Sequence, residues 1–474
     1  MVFSSVIFLF YFLPAFLVVY FLSPRKVKNY TALLASIAFY AWGAPKFVFV
    51  ILASTIIDFF IVKALHNSSE ERKRKGFLMI SLVMNLGLLA YFKYANFFVE
   101  NLNAALNSIG VEQVGWTSVA LPIGISFYTF QTLTYSIDVY RRIHEPLKKV
   151  SDYLLYIMAF PQMIAGPIVR FTHIADQIVK RKDTLDDKLV GFYRFCIGLA
   201  KKVLIANVMA EQADLIFSSN LNELTTPMAW IGMIAYTFQI YFDFSGYSDM
   251  AIGLGRMMGF RFPENFNSPY ISTSITEFWR RWHMTLSGFM RDYLYIPLGG
   301  SRVNSNGRLY FNLALVFLLS GLWHGASWNF VIWGAFHGFF LILDRLFLKK
   351  VLNSIPKVFS ILITFIITMF GWVIFRLEDF GKIKMYLYEL LVFDENLLFV
   401  DVIPAFWLLL IVSVFFSFVG AFKFGKKLQA YFFETDIYGN RSHVILFVLS
   451  ILLLWLSTSS VTSSGFNPFI YFRF

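Results

Sequence analysis

Long apolar runs separated by short basic blocks recur along the whole chain. Runs of about 18 residues or more can cross a bilayer as helices, and none alternates as a membrane-spanning strand would. The pattern predicts an all-α, polytopic integral membrane protein with about 11 transmembrane helices in one domain, residues 1–474. Twelve apolar segments are the candidates for these helices: 1–23, 31–43, 46–63, 76–92, 119–138, 188–209, 228–247, 311–322, 327–345, 357–376, 403–422 and 443–458.

The basic blocks predict an orientation. Basic residues collect at 25–28, 70–75, 141–149 and 423–427, and such blocks usually face the cytoplasm. The run Met1–Ser23 has no basic residue before it and no small-residue cleavage site, so we expect a retained first span and not a signal peptide. Both the N-terminus and the C-terminus are then expected outside.

Three stretches depart from simple spans. Residues 94–117 are predicted to form a weakly charged outer loop. Phe160–Pro167 is apolar but contains two prolines and a glycine, which favours a re-entrant segment over a loop at the interface. Residues 255–310 are rich in arginine and aromatics, which predicts amphipathic or re-entrant helices. We therefore divide the domain into N-terminal spans (1–250), a motif-bearing region (251–345) and C-terminal spans (346–474).

Composition agrees with a membrane protein. Of 474 residues, 58% are hydrophobic and only 15% charged, against roughly 25% charged in soluble proteins. The net charge of +12 lies in short blocks between apolar segments, which argues against nucleic-acid binding. The single cysteine, Cys196, excludes an intrachain disulfide and a cysteine metal cluster, and its apolar segment predicts inert packing.

Two histidines follow tryptophans, His283 after Trp282 and His324 after Trp323. Ionisable side chains within membrane segments are costly and usually functional. Apolar surroundings favour the neutral imidazole, which can accept a proton. The pattern predicts proton chemistry within the membrane, with both histidines as candidate catalytic residues.

The neighbours of these histidines suggest how they are placed. On a continuous helix, His283 would share one face with Trp279, Arg280 and Ser287. Gly325, next to the second histidine, would let a substrate or backbone approach closely. Two alternatives remain: a hydrogen-bonded pair of core histidines, or a haem or metal site, for which nothing completes a ligand set.

Two carboxylates, Asp243 and Asp249, end or interrupt an apolar span. They could be proton or cation sites, or could form internal salt bridges with Arg280 and Arg281. His337 lies on an apolar span and is either a packed core residue or a group that supports the catalytic pair. The remaining histidines lie near charged loops, where a surface role is expected: His66, His144, His173 and His443.

Several motifs carry a family resemblance. They are Tyr241–Asp249, Glu277–His283, Arg291–Tyr295, Pro297–Gly300 and Leu322–Gly325, with support from Leu121–Phe127, Ala165–Pro167 and Gly371–Arg376. Together they resemble the membrane-bound O-acyltransferase family over nearly the whole chain. Met1–Ser5 is similar to the branch that O-acetylates bacterial polysaccharides such as alginate or peptidoglycan. The resemblance implies a ring of helices around a central funnel in a bacterial inner membrane.

The resemblance also implies roles for individual residues. A cytoplasmic acyl thioester, expected to be acetyl-CoA as substrate and with no bound cofactor, would meet an acceptor from the outer side. His324 matches the family's invariant histidine and would act as general base, while His283 would orient the acyl group or stabilise the oxyanion. Substrate-binding residues are expected among Trp279, Arg280, Arg281, Trp282, Trp323, Arg291, Arg302 and Asp243. Counter-ion and positive-inside roles remain the alternative for the arginines.

The C-terminal stretch Asn467–Phe474 is similar to a Phe-x-Tyr-x-x-Phe signature of acyl-relay systems in this family. Tyr471 could take the acyl group with the help of His324 and present it outside. An interfacial aromatic anchor is the alternative.

The favoured function is therefore export of an acetyl group for O-acetylation of an extracellular polysaccharide. Since no hydrolase-like Ser/His/Asp domain is evident, a separate extracytoplasmic acetyltransferase of the SGNH type is the expected partner, besides the lipid bilayer and the thioester donor. The alternatives are D-alanylation of teichoic acid from a carrier-protein thioester, a transporter, and a scaffold subunit of a polysaccharide synthase.

Overall fold

The computed structural model describes residues 2–181, 183–220, 223–392 and 401–468. The chain divides into an N-terminal unit, Met1–Asp183 with Met258–Pro263, and a C-terminal unit, Thr184–Met257 with Glu264–Phe474. Within the described ranges every regular element is helical, which confirms the all-α prediction. The predicted limits of the motif-bearing region, 251–345, stay a prediction.

The N-terminal unit is built from helices of very different length. They are α1 (Ile7–Leu22), α2 (Lys28–Gly43), α3 (Phe47–Asn67), α4 (Glu71–Ser108), α5 (Ile125–Tyr140), α6 (Val150–Met158), α7 (Phe160–Met163) and α8 (Phe171–Val179). The irregular residues 164–169 that follow α7 are buried within this unit. Burial by protein is the condition under which such backbone survives in a membrane, so it favours the re-entrant interpretation over an exposed loop.

Two predicted boundaries in this unit are wrong. The predicted loop 94–117 begins as helix, because α4 continues to Ser108 through a π-helical turn at Ala90–Tyr94. The predicted span 119–138 becomes helical only at Ile125, after Gly124 with a left-handed φ of 78°. A Cβ on Gly124 would lie 2.6 Å from the carbonyl oxygen of Met163. Both boundaries depend on turn geometry and packing, which hydropathy does not report.

The C-terminal unit holds every histidine singled out for chemistry. Its helices are α9 (185–217), α10 (Thr226–Met257), α11 (Ile275–Arg281), α12 (Met284–Phe289), α13 (Asn306–His324), α14 (Trp328–Leu346), α15 (Leu348–Ser354), α16 (Lys357–Arg376), α17 (Phe380–Glu389), α18 (Phe406–Phe418), α19 (Lys423–Gln429) and α20 (Asn440–Ser463). Side-chain oxygens cap several starts, as when Ser274 accepts a hydrogen bond from the Glu277 amide at 3.1 Å. The predicted re-entrant stretch 255–310 indeed consists of short helices and irregular backbone.

Among the described residues, four helices are long and apolar enough to cross a membrane, or up to six if each bent pair counts as one span. The four are α3, α4, α16 and α20. In α20 only 17% of the most apolar window is buried, so most of its apolar surface needs a lipid environment. The predicted total of about 11 spans stays a prediction.

Glycines bring α9 and α10 into close contact. Gly191 and Gly198 of α9 meet Gly253 and Gly246 of α10, and a Cβ on Gly198 would lie 2.6 Å from the carbonyl oxygen of Gly246. Small residues that let helix backbones touch are the usual basis of association within membranes. The crossing also brings the basic residues of α9 beside the carboxylates of α10.

Gly198→Val is expected to separate these two helices and to lower stability by about 1–3 kcal/mol, the usual cost of overpacking. The measurement is the thermal unfolding midpoint of the purified protein in detergent. Gly307→Ala is the matched control, because a Cβ on Gly307 would meet nothing within 4 Å. Equal midpoints for the two variants would contradict the described crossing.

Candidate active site

His324 is the last residue of α13 and is buried at the turn into α14. Gly321 and Gly334 let the two helices touch at this turn. Three aromatic rings surround the imidazole: Trp323 at 5.0 Å, Trp333 at 4.9 Å and Phe375 at 5.5 Å between ring centroids. Such walls exclude water and hold the ring in one place.

The position that a side chain at residue 325 would occupy is filled by protein. A Cβ on Gly325 would collide with the ring of Phe330, so the glycine makes room for this phenylalanine. Our expectation that Gly325 admits a substrate or backbone is therefore wrong: its absent side chain is needed to close the α13–α14 turn.

His283 lies between two helices and not within one. The helix α11 ends at Arg281, and His283 has a left-handed backbone conformation with φ 43° and ψ 53° before α12 begins. The prediction that His283 shares a helical face with Trp279, Arg280 and Ser287 is therefore wrong. A non-glycine residue in this region is strained, and such strain tends to occur at functional sites.

Asn265 fixes the orientation of the His283 ring. Its Oδ1 lies 3.0 Å from His283 Nδ1 and also accepts hydrogen bonds from the backbone amide and hydroxyl of Thr285, while its Nδ2 donates to Ser248 at 3.1 Å. A backbone amide can only donate, so the oxygen of Asn265 faces His283 and Nδ1 must carry the proton. The neutral ring then presents an unprotonated Nε2, which has no hydrogen-bond partner among the described residues.

Sequence reasoning missed Asn265. It lies 18 residues before His283, in irregular chain where we singled out only arginines. Polar side chains flanked by aromatics in this stretch were the available signal, but no spacing rule connects them with the histidine.

Asn265→Leu is expected to lower the reaction rate about 10- to 100-fold, because the His283 ring loses the partner that fixes its tautomer. Initial rates at saturating substrate would measure this loss. Asn267→Leu is the matched control in the same segment, since Asn267 interacts with Arg281 through its backbone. A wild-type rate for Asn265→Leu would remove the positioning role.

One continuous aromatic cluster connects the histidines. The Trp323 ring contacts both His283, at 6.0 Å, and His324, at 5.0 Å. Trp333 contacts both His324, at 4.9 Å, and His337, at 5.0 Å. The structure thus brings the two predicted catalytic histidines into contact with one tryptophan ring, although they are 41 residues apart in the sequence.

His337 is the packed core residue that one of the two interpretations predicted. It is fully buried, and neither ring nitrogen has a hydrogen-bond partner among the residues that the structure describes. A Cβ on Gly371 would lie 2.8 Å from its Nε2, so the glycine makes room for the ring.

Two of the predicted substrate-binding tryptophans form the wall behind the site. Trp279 contacts His337 at 5.0 Å and Trp333 at 5.5 Å. Trp282 packs on Trp372 at 4.7 Å. Trp323, between His283 and His324, is the predicted tryptophan that contacts both histidines.

The predicted arginines differ in their surroundings. Arg281 pairs with Glu277 of the same helix at 2.9 Å. Arg291 pairs with Asp292 at 2.6 Å on an exposed surface. Arg280 and Arg302 are exposed. Exposed guanidinium groups can bind phosphates, so their predicted role in donor binding stays a prediction.

The two carboxylates of α10 form internal salt bridges, but with other partners than predicted. Asp243 pairs with Lys202 at 2.9 Å. Asp249 pairs with Arg194 at 2.7 Å and with Lys201 at 2.6 Å. The prediction of Arg280 and Arg281 as partners is wrong, because the glycine crossing brings α9 against α10 instead.

The other candidate residues are Tyr471, Cys196 and His443. Tyr471 lies outside the described residues. Cys196 is buried within α9, as expected for inert packing. His443 is half-buried, with Nδ1 at 3.1 Å from the Tyr193 hydroxyl and Nε2 at 3.2 Å from Asp186. In the described part of the chain, no group of three His, Cys, Asp or Glu side chains could hold a metal ion.

An imidazole buried among aromatic rings, with a second and oriented imidazole beside it, suits proton transfer to or from a reacting hydroxyl. The sequence profile of the membrane-bound O-acyltransferase family matches residues 147–378, which include both histidines. The chain belongs to this family. It is therefore a multi-pass membrane acyltransferase.

Three relatives show the range of the family. A protein of Azotobacter vinelandii described as a probable alginate O-acetylase is 49% identical over 384 residues, covering 80% of this chain and 76% of the relative. The peptidoglycan O-acetyltransferase of Helicobacter pylori is 37% identical over 417 residues, covering 80% and 77%. The teichoic acid D-alanyltransferase of Bacillus subtilis is 30% identical over 277 residues, covering 54% and 69%.

Proposed function

We propose that the protein transfers an acetyl group from acetyl-CoA, through the membrane, for O-acetylation of an extracellular polysaccharide. The observation that carries this proposal is the 49% identity with a relative described as an alginate O-acetylase, over most of both chains. The peptidoglycan O-acetyltransferase adds support, since it covers a similar share of the chain at 37% identity. An exopolysaccharide such as alginate or a peptidoglycan is the proposed class of final acceptor.

His324 is the proposed general base. The acceptor hydroxyl gives its proton to the imidazole, and its oxygen attacks the thioester carbonyl carbon. As the tetrahedral intermediate collapses, the carbon–sulfur bond breaks and the CoA sulfur takes the proton from the imidazolium. The apolar walls made by Trp323, Trp333 and Phe375 support this role, because they keep water away from the thioester.

The tautomer of His283 supports one of the two roles that the resemblance implies for it, the orientation of a substrate. With Nδ1–H held by Asn265, the neutral ring offers a lone pair at Nε2 and has no proton there for an oxyanion. We therefore propose that His283 accepts a hydrogen bond from the acceptor hydroxyl or from an amide of the donor. This orients one substrate beside His324, which is a positioning function and not oxyanion stabilisation.

The substrate-binding proposals follow from exposure and contact. Arg280 and Arg302 carry exposed charge that could hold the phosphates of acetyl-CoA, whereas Arg281 is partly engaged by Glu277 and the exposed Arg291 by Asp292. Trp323 is the best placed of the tryptophans to touch the acyl group, since its ring contacts both histidines.

Tyr471 is the proposed acyl acceptor within the chain. A phenol loses its proton more easily than an alkyl hydroxyl, and its ester passes the acyl group on more readily. A separate extracytoplasmic acetyltransferase of the SGNH type would then carry the acetyl group to the polysaccharide. This scheme places the protein in a bacterial inner membrane with both termini outside.

The test uses the purified full chain in nanodiscs with acetyl-CoA labelled in the acetyl group. The proposal predicts label on Tyr471 by mass spectrometry, and loss of this label in Tyr471→Phe. Tyr388→Phe is the matched control, because Tyr388 is an exposed tyrosine at 63% relative accessibility. Label that persists in Tyr471→Phe would eliminate the relay, and absence of CoA release from wild type would eliminate acetyl-CoA as donor.

The D-alanyl alternative is separated by the same assay. If a D-alanyl thioester on a carrier protein is consumed and acetyl-CoA is not, the donor is a carrier protein. Membership of an acyltransferase family favours covalent transfer over the transport and scaffold alternatives.

A further inference from the structure

Lys202 is a buried cation in the middle of the C-terminal unit. Its side chain and that of its partner Asp243 are each only 2% exposed, with Nζ 2.9 Å from Oδ1. A buried charge is tolerated only when it is paired and its remaining hydrogen-bonding capacity is used. The remaining contacts of Lys202 therefore indicate the role of its buried charge.

Three oxygen atoms lie around the ammonium group of Lys202. Asp243 Oδ1 balances its charge as an ion pair, and Asn207 Oδ1 accepts a hydrogen bond at 2.8 Å. A second hydrogen bond goes to the backbone carbonyl of Pro468. This carbonyl comes from 266 residues further along the chain, beyond the end of α20.

Asn207 holds the same segment through its other end. Its Nδ2 lies 3.5 Å from the carbonyl oxygen of Phe466 and 3.4 Å from Asn467 Oδ1. Because its Oδ1 faces the ammonium of Lys202, the amide orientation is fixed and Nδ2 must point to the C-terminal segment. Asn467 and Pro468 are accordingly half-buried, while residues 464–466 just before them are exposed.

The local structure of α9 creates this arrangement. The helix switches to a π-helical turn at Lys201–Ala206, the turn that carries Lys202. Such turns are rare and frequently mark functional sites. The Gly198–Gly246 crossing lies one helical turn away and brings Asp243 of α10 within reach of the ammonium.

We propose that Lys202, Asp243 and Asn207 form a C-terminal clasp, which holds residues 466–468 and so fixes where the last residues of the chain begin. Resting on the proposed function, the clasp positions Tyr471 for acyl transfer. Tyr471 is only three residues beyond Pro468 in the sequence, so holding Pro468 is expected to raise the effective concentration of the tyrosine at the site.

The first measurement follows release of the C-terminal segment and does not depend on activity. Pro468→Cys in a Cys196→Ser background keeps the backbone carbonyl and supplies the chain with one reactive thiol. We expect slow labelling by a polar maleimide when the clasp is intact. Labelling should be about tenfold faster in Lys202→Met/Asp243→Leu, which removes the charge pair together, and faster also in Asn207→Leu, consistent with the loss of charged or buried hydrogen bonds.

Lys201→Gln is the matched control. Lys201 precedes Lys202 on the same π-helical turn but pairs with Asp249, which retains Arg194. The maleimide labelling rate of the Lys201→Gln variant should equal that of the parent protein, Pro468→Cys in the Cys196→Ser background. Equal rates in the parent and both clasp variants would overturn the proposal, as would the same acceleration in Lys201→Gln.

The second measurement asks whether the clasp positions Tyr471. The ratio of acetyl on Tyr471 to CoA released should fall at least tenfold in the clasp variants and stay unchanged in Lys201→Gln. An unchanged ratio despite faster thiol labelling would overturn the positioning role. If wild type never carries acetyl on Tyr471 but the labelling differences hold, the clasp stands and the relay falls, so the two failures are distinguishable.

Discussion

His324→Ala is expected to lower acyl transfer about 10²- to 10⁴-fold, the usual contribution of a positioned general base. The imidazole lies at the junction of Trp323, Trp333 and Phe375, where water is excluded and cannot easily replace it as base. His324→Gln, which fills more of the space, should lose as much. The measurement is the rate of CoA release from acetyl-CoA by protein with a wild-type unfolding midpoint.

His337→Leu is the control for this prediction. Like His324, His337 contacts Trp333, but both of its nitrogens lack hydrogen-bond partners among the described residues. An apolar side chain of similar size should be tolerated there, so the variant should keep its rate within about tenfold. An equal loss of rate in His324→Ala and His337→Leu would mean that both histidines only pack within the aromatic cluster and that His324 is not the base.

Lys202→Met is expected to cause the largest loss of stability, about 3–5 kcal/mol, because it leaves Asp243 as a buried carboxylate without its cation. Lys202→Met/Asp243→Leu should recover most of this loss, since replacing both members of a buried pair by apolar groups is often close to neutral. Thermal unfolding in detergent, with the fraction of protein that elutes as a single species, would measure both effects.

Lys201→Met is the control that distinguishes the loss of the buried Lys202–Asp243 pair from the loss of any basic residue of α9. Asp249 keeps Arg194 at 2.7 Å, and Lys201 is 21% exposed, so its loss should shift the unfolding midpoint only slightly. A single variant Lys202→Met as stable as the double variant would contradict the tight coupling that the 2.9 Å contact implies.

Much of the fold follows from hydropathy and local signals. The α16 segment was predicted as 357–376 and is observed as Lys357–Arg376, because an uninterrupted apolar run has one stable form in a membrane. The prediction of a loop at 94–117 is wrong because the helix α4 continues past the point where its sequence becomes polar. The prediction that His283 lies within a helix is wrong, because a left-handed backbone conformation at one position does not change the apolar periodicity of the sequence.

The residues of the candidate site were likewise only partly predictable from the sequence. His283 and His324 were visible as ionisable residues beside tryptophans in apolar sequence, a local and unusual pattern. Asn265, which determines the tautomer of His283, was missed because no spacing rule connects an asparagine in irregular chain with a histidine 18 residues away. The sequence predicts Arg280 and Arg281 as partners of Asp243 and Asp249, whereas the glycine crossing selects Lys202, Lys201 and Arg194.

The sequence by itself determined that this is an all-helical membrane acyltransferase with His324 and His283 as the residues of interest, since membrane insertion and family motifs are written in consecutive residues. Only the tertiary structure decided that Trp323 joins the two histidines, that Asn265 orients one of them, and that Lys202 holds Pro468. Apart from the contact between the neighbours Trp323 and His324, these contacts join residues 18 to 266 positions apart. They depend on which helix faces approach one another, and that is settled by close packing over the whole unit and not by any local pattern.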